Sequence, residues 1–336
     1  MSENIDKGPA LILGSRGSDL AVTQVRQTEA RLLEAGQAQV AVRIIQTVGD
    51  KRPDLKLSEF SDPAAFGGEA IVDKGIFTKE LEEALLAGEI HAAVHSLKDV
   101  PTELHQDFII TASLEREQIE DVLLSRNANE PYSVETLPQS GTVATSSVRR
   151  ARQLSWLRPD LKLVDIRGNV PTRIHKLIAD PQWDAIMLAR AGLKRLGFLD
   201  NDEPCGQLNF DSDTPVGFCV LDAGEFLPAA GQGAIGIESR HADASTNEAL
   251  ALINHQPTFA RVNAERAFLA RLQAGCQTPV GLYTWWSADD SVLNMKTRIF
   301  DEENLDAPPR EGEVSAAASG TPEDLADQLM QKIYGN

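Results

Sequence analysis

Lys98 and Asp99 stand side by side at the end of a short apolar run, His91-Ala-Ala-Val-His-Ser-Leu97, and Pro101 closes the stretch. A carboxylate beside an ammonium can steady a developing cation or move a proton, and both tasks need shelter from water. An apolar run of that length, after a helix-like segment, predicts a buried parallel strand. Open α/β sheets hold ligands outside the carboxyl ends of their strands, so the pair is expected at the mouth of a binding site. Taken alone, the two residues read more readily as a surface ion pair. The arginines elsewhere in the chain change that reading.

Those arginines recur where strands end and helices begin. Arg16 lies in Gly14-Ser-Arg16-Gly-Ser18, between the strand Ala10–Leu13 and a helix that Ser18 caps and Asp19 opens. Arg149, Arg150 and Arg152 follow the strand Gly141–Thr145 and the serines Ser146 and Ser147. Arginine at a helix start opposes the macrodipole, whose positive end favours anions, so serine caps with paired arginines predict an oxyanion-binding nest. Arg167-Gly168-Asn169 ends the strand Leu161–Ile166, and Arg173 falls just inside a helix with Pro171 near its first position. The strand Asp184–Leu188 leads to Arg190, Lys194 and Arg195. With a net charge of −18, the chain is a poor non-specific binder of nucleic acid or anionic membrane. Arginines gathered in so acidic a chain indicate a small polyanion, a polycarboxylate or polyphosphate.

The elements that must carry these residues make an α/β chain of two or three domains, 336 residues long. No apolar run approaches the length of a membrane span and no secretory leader precedes the first strand. Cys205, Cys219 and Cys276 are unevenly spaced and predict neither a disulfide framework nor a metal knuckle, which suits a reducing cytoplasm. The six histidines are scattered and there is no P-loop, so no metal or nucleotide site is expected. A second strand, Val40–Thr47, precedes a long polar stretch from Lys51 to Lys74, and a helix spans Lys79–Gly88. The strand Phe108–Ala112 continues the first sheet, Glu115-Arg116-Glu117 is a crossing point, and Asp121–Ser125 is expected to begin a new βαβ series. Phe198–Leu227 is acidic and turn-rich and reads as an excursion. Gly231-Gln-Gly233 before the strand Ala234–Ile237 serves equally as a hinge or a binding loop. Helices over 247–255 and 257–273, strands over 280–286, 292–300 and 313–318, and a helix over 322–334 complete a small terminal domain. It presents Cys276 just after Gly275, a good residue to end a helix. On its own an unpaired cysteine is usually a small buried hydrophobe.

From end to end the chain resembles the hydroxymethylbilane synthases, also called porphobilinogen deaminases. The resemblance is carried by Gly14-Ser-Arg16-Gly-Ser18, Thr47-Val-Gly-Asp50, Lys74-Gly-Ile-Phe-Thr-Lys79-Glu80, His95-Ser-Leu-Lys98-Asp99-Val-Pro101 and Ala144-Thr-Ser-Ser-Val-Arg149-Arg150. Further on it is carried by Arg167-Gly-Asn-Val-Pro-Thr-Arg173, Ala191-Gly-Leu-Lys-Arg195-Leu-Gly197, Gly231-Gln-Gly-Ala234 and Gly275-Cys276-Gln-Thr-Pro279. It implies two periplasmic-binding-protein-like (type II) α/β domains flanking a cleft, plus a small C-terminal α/β domain. The boundaries expected are 1–114 with 234–251, then 115–233, then 252–336. The implied reaction is the head-to-tail condensation of four porphobilinogen molecules, with release of ammonia, on a dipyrromethane cofactor held to Cys276 through a thioether. Asp99 matches the family's catalytic aspartate and Lys98 stands with it. Lys98, Asp99, Thr145, Ser146, Ser147, Arg149, Arg150, Arg167 and Gly168 match cofactor-binding positions; Arg16, Ser18, Arg173, Arg195 and Lys74 match substrate-binding ones. A cytoplasmic monomer with no nucleic-acid, membrane or metal partner is implied. The chain departs from the family's pattern at Ala70–Asp73, in a longer loop before that point, and at Glu120, which replaces a cation. It departs again at Asp19, Pro171 and Arg190, and in a longer stretch before Leu227.

Overall fold

Leu11–Ser15 (β1) is too apolar to face water on either side, and it takes the place such a run demands, between two parallel neighbours. In the computed structural model, which describes residues 10–47, 77–208, 210, 214–275 and 278–335, those neighbours are Val40–Ile44 (β2) and Ala92–Ser96 (β3). Ile235–Arg240 (β11) comes back from far along the chain and lies antiparallel to β3 and to Phe108–Ser113 (β4), giving the order β2-β1-β3-β11-β4. Asp19–Glu34 (α1) begins where Ser18, in extended conformation, accepts the Ala21 N–H. It buries Val25 and Leu32 against Leu13, Val94 and Ile237. Lys79–Leu86 (α2) covers the opposite face, where Leu81 and Leu85 meet Ala93 and Phe108. Covered on both sides, β3 is buried until it ends in a 3₁₀ turn, Leu97–Asp99. These elements form one compact unit, Met1–Arg116 with Ala234–Phe259.

The second sheet repeats this plan. Lys162–Val164 (β7), Thr142–Ala144 (β6) and Ala185–Ala189 (β8) are parallel neighbours, and Asp121–Ser125 (β5) runs antiparallel between β8 and Gly217–Val220 (β10). Both sheets therefore read second, first, third, returning strand, fourth, and in each the returning strand comes from beyond the crossing of the chain. The same order thus recurs in two α/β sheets of one chain. Val148–Leu157 (α3), Val170–Ala179 (α4) and Arg190–Arg195 (α5) follow β6, β7 and β8 in turn. Ile174 and Leu177 of α4 and Leu193 of α5 pack with Ile186 and Phe218.

Three expectations need correction here. β5 does not open a βαβ unit; it pairs antiparallel on both sides, because its role is to return into a sheet whose parallel strands all come later. The segment 198–227 is not wholly an excursion either: β10 is a sheet strand with Phe218 fully buried, and Cys205–Gln207 (β9) pairs with it at the edge. Register places Cys205 opposite Cys219, and a disulfide joins them, where the uneven cysteine spacing had predicted none. Spacing along the chain does not reveal which strands become partners.

Val280–Trp286 (β12), Val292–Ile299 (β13) and Arg310–Ala317 (β14) form an antiparallel meander. Phe268 of Gln256–Arg271 (α7) and Leu325 and Leu329 of Pro322–Tyr334 (α8) pack on Leu282 and Met295. Ala244–Ala251 (α6) precedes α7 and contributes Leu250 to the first core. The third sheet belongs to the same compact unit as the second, Glu117–Gly233 with Ala260–Asn336. Leu282 N–H donates to Pro228 C=O at 2.8 Å, and Lys296 Nζ to Gly224 C=O at 2.7 Å. Gly281 lies so close to Leu227 that an added Cβ would stand 2.6 Å from the leucine Cβ.

A comparable constraint lies under the Lys98–Asp99 turn. A Cβ on Gly236 of β11 would come within 2.5 Å of Leu97 Cδ1. Gly236→Ala is expected to lose about 1–3 kcal/mol in denaturant melts, the usual range for overpacking. A variant as stable as the parent would mean that Leu97 can turn aside.

Candidate active site

In the first unit the sheet topology brings Arg16 and the Lys98–Asp99 pair to one edge, since β1 and β3 are parallel neighbours and both residue groups follow their carboxyl ends. Ser18 Oγ caps α1 by accepting the Ala21 N–H. The Arg16 guanidinium lies 4.0 Å from the centre of the Phe77 ring, at the approach to α2. Lys98 and Asp99 are both exposed, whereas Leu97 and Val100 on either side of them are buried. Leu97 N–H donates to Ala234 C=O at 3.0 Å and fixes the start of the turn.

In the second unit three parallel neighbours, β7, β6 and β8, release their chains at one edge, and each delivers an arginine-bearing turn. After β6, Ser146 Oγ donates to Ile166 C=O at 2.7 Å, and Ser147 caps α3 by accepting the Arg150 N–H. Thr145 Oγ1 accepts the Ser147 N–H. Behind this turn lies a feature the sequence reading missed. Asp121, the first residue of β5, is fully buried and takes Arg149 Nη1 at 2.6 Å on one oxygen. Its other oxygen takes Arg150 Nη2 at 2.7 Å and Nε at 3.0 Å. Burial by itself would push the Asp121 carboxyl up, but Arg149 and Arg150 outweigh it and hold it well below the usual carboxylate range. Gln232 Nε2 donates to the same carboxylate at 2.9 Å and to Ile119 C=O at 2.7 Å. Arg149 also reaches Leu227 C=O, and Arg150 reaches Met187 C=O. Two cations and one anion leave a surplus positive charge, and the buried Arg149 Nε has no hydrogen-bond partner among the described residues.

After β7, Gly168 has φ +115°, and an added Cβ would meet Thr172 at 2.6 Å, so this turn requires glycine. Asn169 caps α4, and Arg173 Nε donates to Gly168 C=O at 2.8 Å, which closes the turn on itself. Arg167 is half-buried beside it. After β8, Arg195 Nη2 donates to Gly233 C=O at 2.7 Å. Burial lowers the Arg195 guanidinium to about 10, with Glu117 opposing the shift, so it stays cationic at neutral pH. Arg190 is buried and faces Glu120 at 3.7 Å and Asp202 at 3.2 Å. The unexpected acid at 120 and the unexpected arginine at 190 thus sit together. Arg152 turns away from this edge and donates to the carbonyls of Asp301, Asn304 and Leu305. Lys74, Cys276 and the departures at 51–73 lie outside the described residues. Among the described residues no group of His, Cys, Asp or Glu could hold a metal ion, and no helix is long and apolar enough to cross a membrane.

Two family models cover most of the chain: the porphobilinogen deaminase dipyrromethane cofactor binding domain matches residues 11–248, and the porphobilinogen deaminase C-terminal domain matches 259–335. The chain belongs to the porphobilinogen deaminase family. A porphobilinogen deaminase of Nitratidesulfovibrio vulgaris is 43% identical over 285 residues, covering 84% of this chain and 80% of that one. The Moorella thermoacetica porphobilinogen deaminase is 41% identical over 323 residues, 96% of this chain and 92% of its own. Among solved structures, the VFT2 domain of Bordetella pertussis BvgS matches with a TM-score of 0.42 and 13% identity, over 73% of this chain and 87% of that chain. Membership makes this chain a transferase of tetrapyrrole biosynthesis that carries a dipyrromethane cofactor.

The described part of the site fits such a cofactor, since its acidic arms would meet the surplus charge of the Asp121 triad and the orphaned Arg149 Nε. The overlooked Asp121 had one signal in the sequence, a lone acid opening an otherwise apolar strand. Its replacement by asparagine leaves two buried guanidinium groups unanswered, and Asp121→Asn is expected to lose about 3–5 kcal/mol at neutral pH. The folded-state pKa of Asp121 lies below its unfolded value of about 4, so its contribution is complete above that pH and fades as the pH falls toward the folded value. Paired melts should therefore show the gap between parent and variant narrowing below about pH 4. A gap that stays constant in acid would mean that the carboxylate charge is not what stabilises the triad.

Proposed function

We propose that this chain makes hydroxymethylbilane by joining four porphobilinogen molecules head to tail, with Asp99 as its catalytic carboxylate and the arginine-bearing strand ends as its carboxylate holders. The observation that supports this most is the single sheet edge where β6, β7 and β8 deliver Arg149 and Arg150, Arg167 and Arg173, and Arg195. A polycarboxylate is the ligand such an edge suits, because guanidinium groups pair two oxygens at once and stay charged when buried. Thr145, Ser146, Ser147, Arg149, Arg150, Arg167 and Gly168 would hold the cofactor. Arg16, Ser18, Arg173, Arg195 and Lys74 would hold the acetate and propionate arms of incoming substrate. Bound through Cys276, the dipyrromethane supplies a pyrrole terminus for bond formation and acidic arms for the arginines.

Departure of ammonia from porphobilinogen leaves a cation delocalised over the pyrrole ring. Asp99 would stabilise that cation and the pyrrole N–H, and its effect grows as water is excluded. Lys98 would pair with acidic arms of the chain growing beside Asp99. The arginines make no bond to the reacting carbon; they fix where the rings lie, which is worth as much as chemistry when two carbons must meet. We infer further that the chain is organised as domains 1–114 with 234–251, 115–233 and 252–336, and that it works as a cytoplasmic monomer.

Two measurements test this function. The intact mass of the purified protein should exceed that of Cys276→Ala by two linked pyrroles; an unmodified parent that also takes up nothing from porphobilinogen would overturn the cofactor assignment. Asp99→Ala should stay folded, carry the added mass and lose essentially all turnover of porphobilinogen. Near-parental turnover in that variant would remove Asp99 from the chemistry. Compartment is tested separately, by cell fractionation: recovery with the cytoplasmic fraction is expected, and recovery elsewhere would argue for another location.

A further inference from the structure

Two buried ionisable side chains on the central strands of the first sheet take no part in the steps above. His95 of β3 and Glu238 of β11 meet at 2.9 Å between Nε2 and Oε2, with side chains 4% and 0% exposed. His95 lies opposite Gly236 and Glu238 opposite Ala93, so the contact runs diagonally across one antiparallel ladder. It lies on the face covered by α2, where Ala93 packs with Leu81, Leu85 and Ile90. From α2, Glu82 adds a second carboxyl; burial raises its pKa and the charge of Glu238 adds to the rise, while Thr78 first, and then His95 and His105, oppose it. Thr78, at the start of α2, is buried as well. Glu238 Oε1 has no hydrogen-bond partner among the described residues. Stability alone gives no reason for this layer, since apolar side chains of like volume would serve as well or better there.

What the layer adjoins gives the reason. Immediately after His95, Ser96 exchanges two hydrogen bonds with Gln24 of α1, at 2.8 and 3.0 Å, on the opposite face of the sheet. Leu97 follows, with its N–H on Ala234 and its side chain in the space that Gly236 leaves. Three consecutive residues are thus fixed by three different partners before the chain turns out into the exposed Lys98 and Asp99. Apolar contacts tolerate sliding along a strand, but a buried hydrogen bond between imidazole and carboxylate has one length and one direction.

We propose that His95 and Glu238 are positioning residues, which lock the end of β3 to β11 so that the turn holds the Asp99 carboxylate at one place relative to its substrate. This rests on the reading of Asp99 as the catalytic carboxylate. Glu238→Leu removes the contact, whereas Glu238→Gln keeps an acceptor for His95 without the charge. In cofactor-loaded, folded protein, Glu238→Leu is expected to lower kcat about 10- to 100-fold with KM within about two-fold, the effect of a small misplacement near the chemistry. Glu238→Gln should recover most of kcat, and His95→Leu combined with Glu238→Leu should lose little more than either alone.

A purely structural role predicts something else: lower melting temperatures, but parental kcat in the folded fraction. Parental kcat in folded Glu238→Leu, or an equal loss in the leucine and glutamine variants, overturns the proposal. If Glu238→Leu does not fold, His95→Asn, which shortens the side chain and loses the Nε2 contact, is read by the same criteria. Asp99→Asn is assayed beside them. If it keeps turnover, the reading of Asp99 fails; if it is inactive while the folded Glu238 and His95 variants are not, only the positioning role fails.

Discussion

Two adjacent guanidinium groups cannot be sunk in a protein interior without an anion to answer them, and Asp121 is that anion. Arg149 and Arg150 are 4% and 5% exposed, and an unpaired charge at such depth would cost several kcal/mol after every relaxation. The carboxylate is delivered by the first residue of β5, and the arginines by the first turn of α3. Leu227, Met187 and Gln232 complete the shell with two carbonyls and one amide. The positions of β5, β8, α3 and the segment from Leu227 to Gly233 are therefore linked through one carboxylate. The surplus positive charge left in that shell is also what equips the edge for an acidic ligand.

The returning strands explain why the rest of each sheet can be devoted to function. In a parallel sheet with helices on both faces, every strand end on one side opens toward the ligand. β5 and β11 run the other way, and so bring chain to that edge rather than away from it. In the second unit this puts Asp121 where the arginines start. In the first it puts Ala234–Glu238 beside the end of β3, where Ala234 and Glu238 hold the approach to Asp99. The turn ahead of β11 does comparable work: Gly231 and Gly233 have φ +69° and +83°, and Gly233 C=O accepts from both Glu117 N–H and Arg195. Within the second unit these bonds fix the shape of the turn.

Helix α3 has a second task on its other face. Arg152 caps three carbonyls of the loop after β13, Gln153 hydrogen-bonds both N–H and C=O of Leu227, and Arg298 stacks 4.4 Å from the Trp156 ring. Glu265 of α7 accepts the Gly231 N–H at 2.7 Å. The helix that leads toward Cys276 is thereby tied to the turn that also touches Asp121 and Arg195. Arg152 and Gln153 of α3, Glu265 of α7 and Arg298 of β13 do this work.

Much of this molecule could be read before any coordinates. Periodicity and end signals located α7 and α8 to within a few residues, and serine and proline marked the starts of α3 and α4, because such start signals act on their own helix and need nothing distant. The clustering of arginine at strand ends and the order of the motifs identified the family. Long-range pairing was another matter. Neither β10 in an acidic, turn-rich segment, nor the Cys205–Cys219 bond, nor the antiparallel course of β5 leaves a local mark. The partners of Arg149, Arg150 and Arg190 were equally hidden, and so was the meeting of His95 with Glu238, 143 residues away. Local chemistry by itself determined which residues were suited to bind acid groups and stabilise a cation. Only the tertiary structure decided which of them are already committed to one another, because a buried charge is satisfied by whatever the fold brings near it, and nearness in space is not written in spacing along the chain.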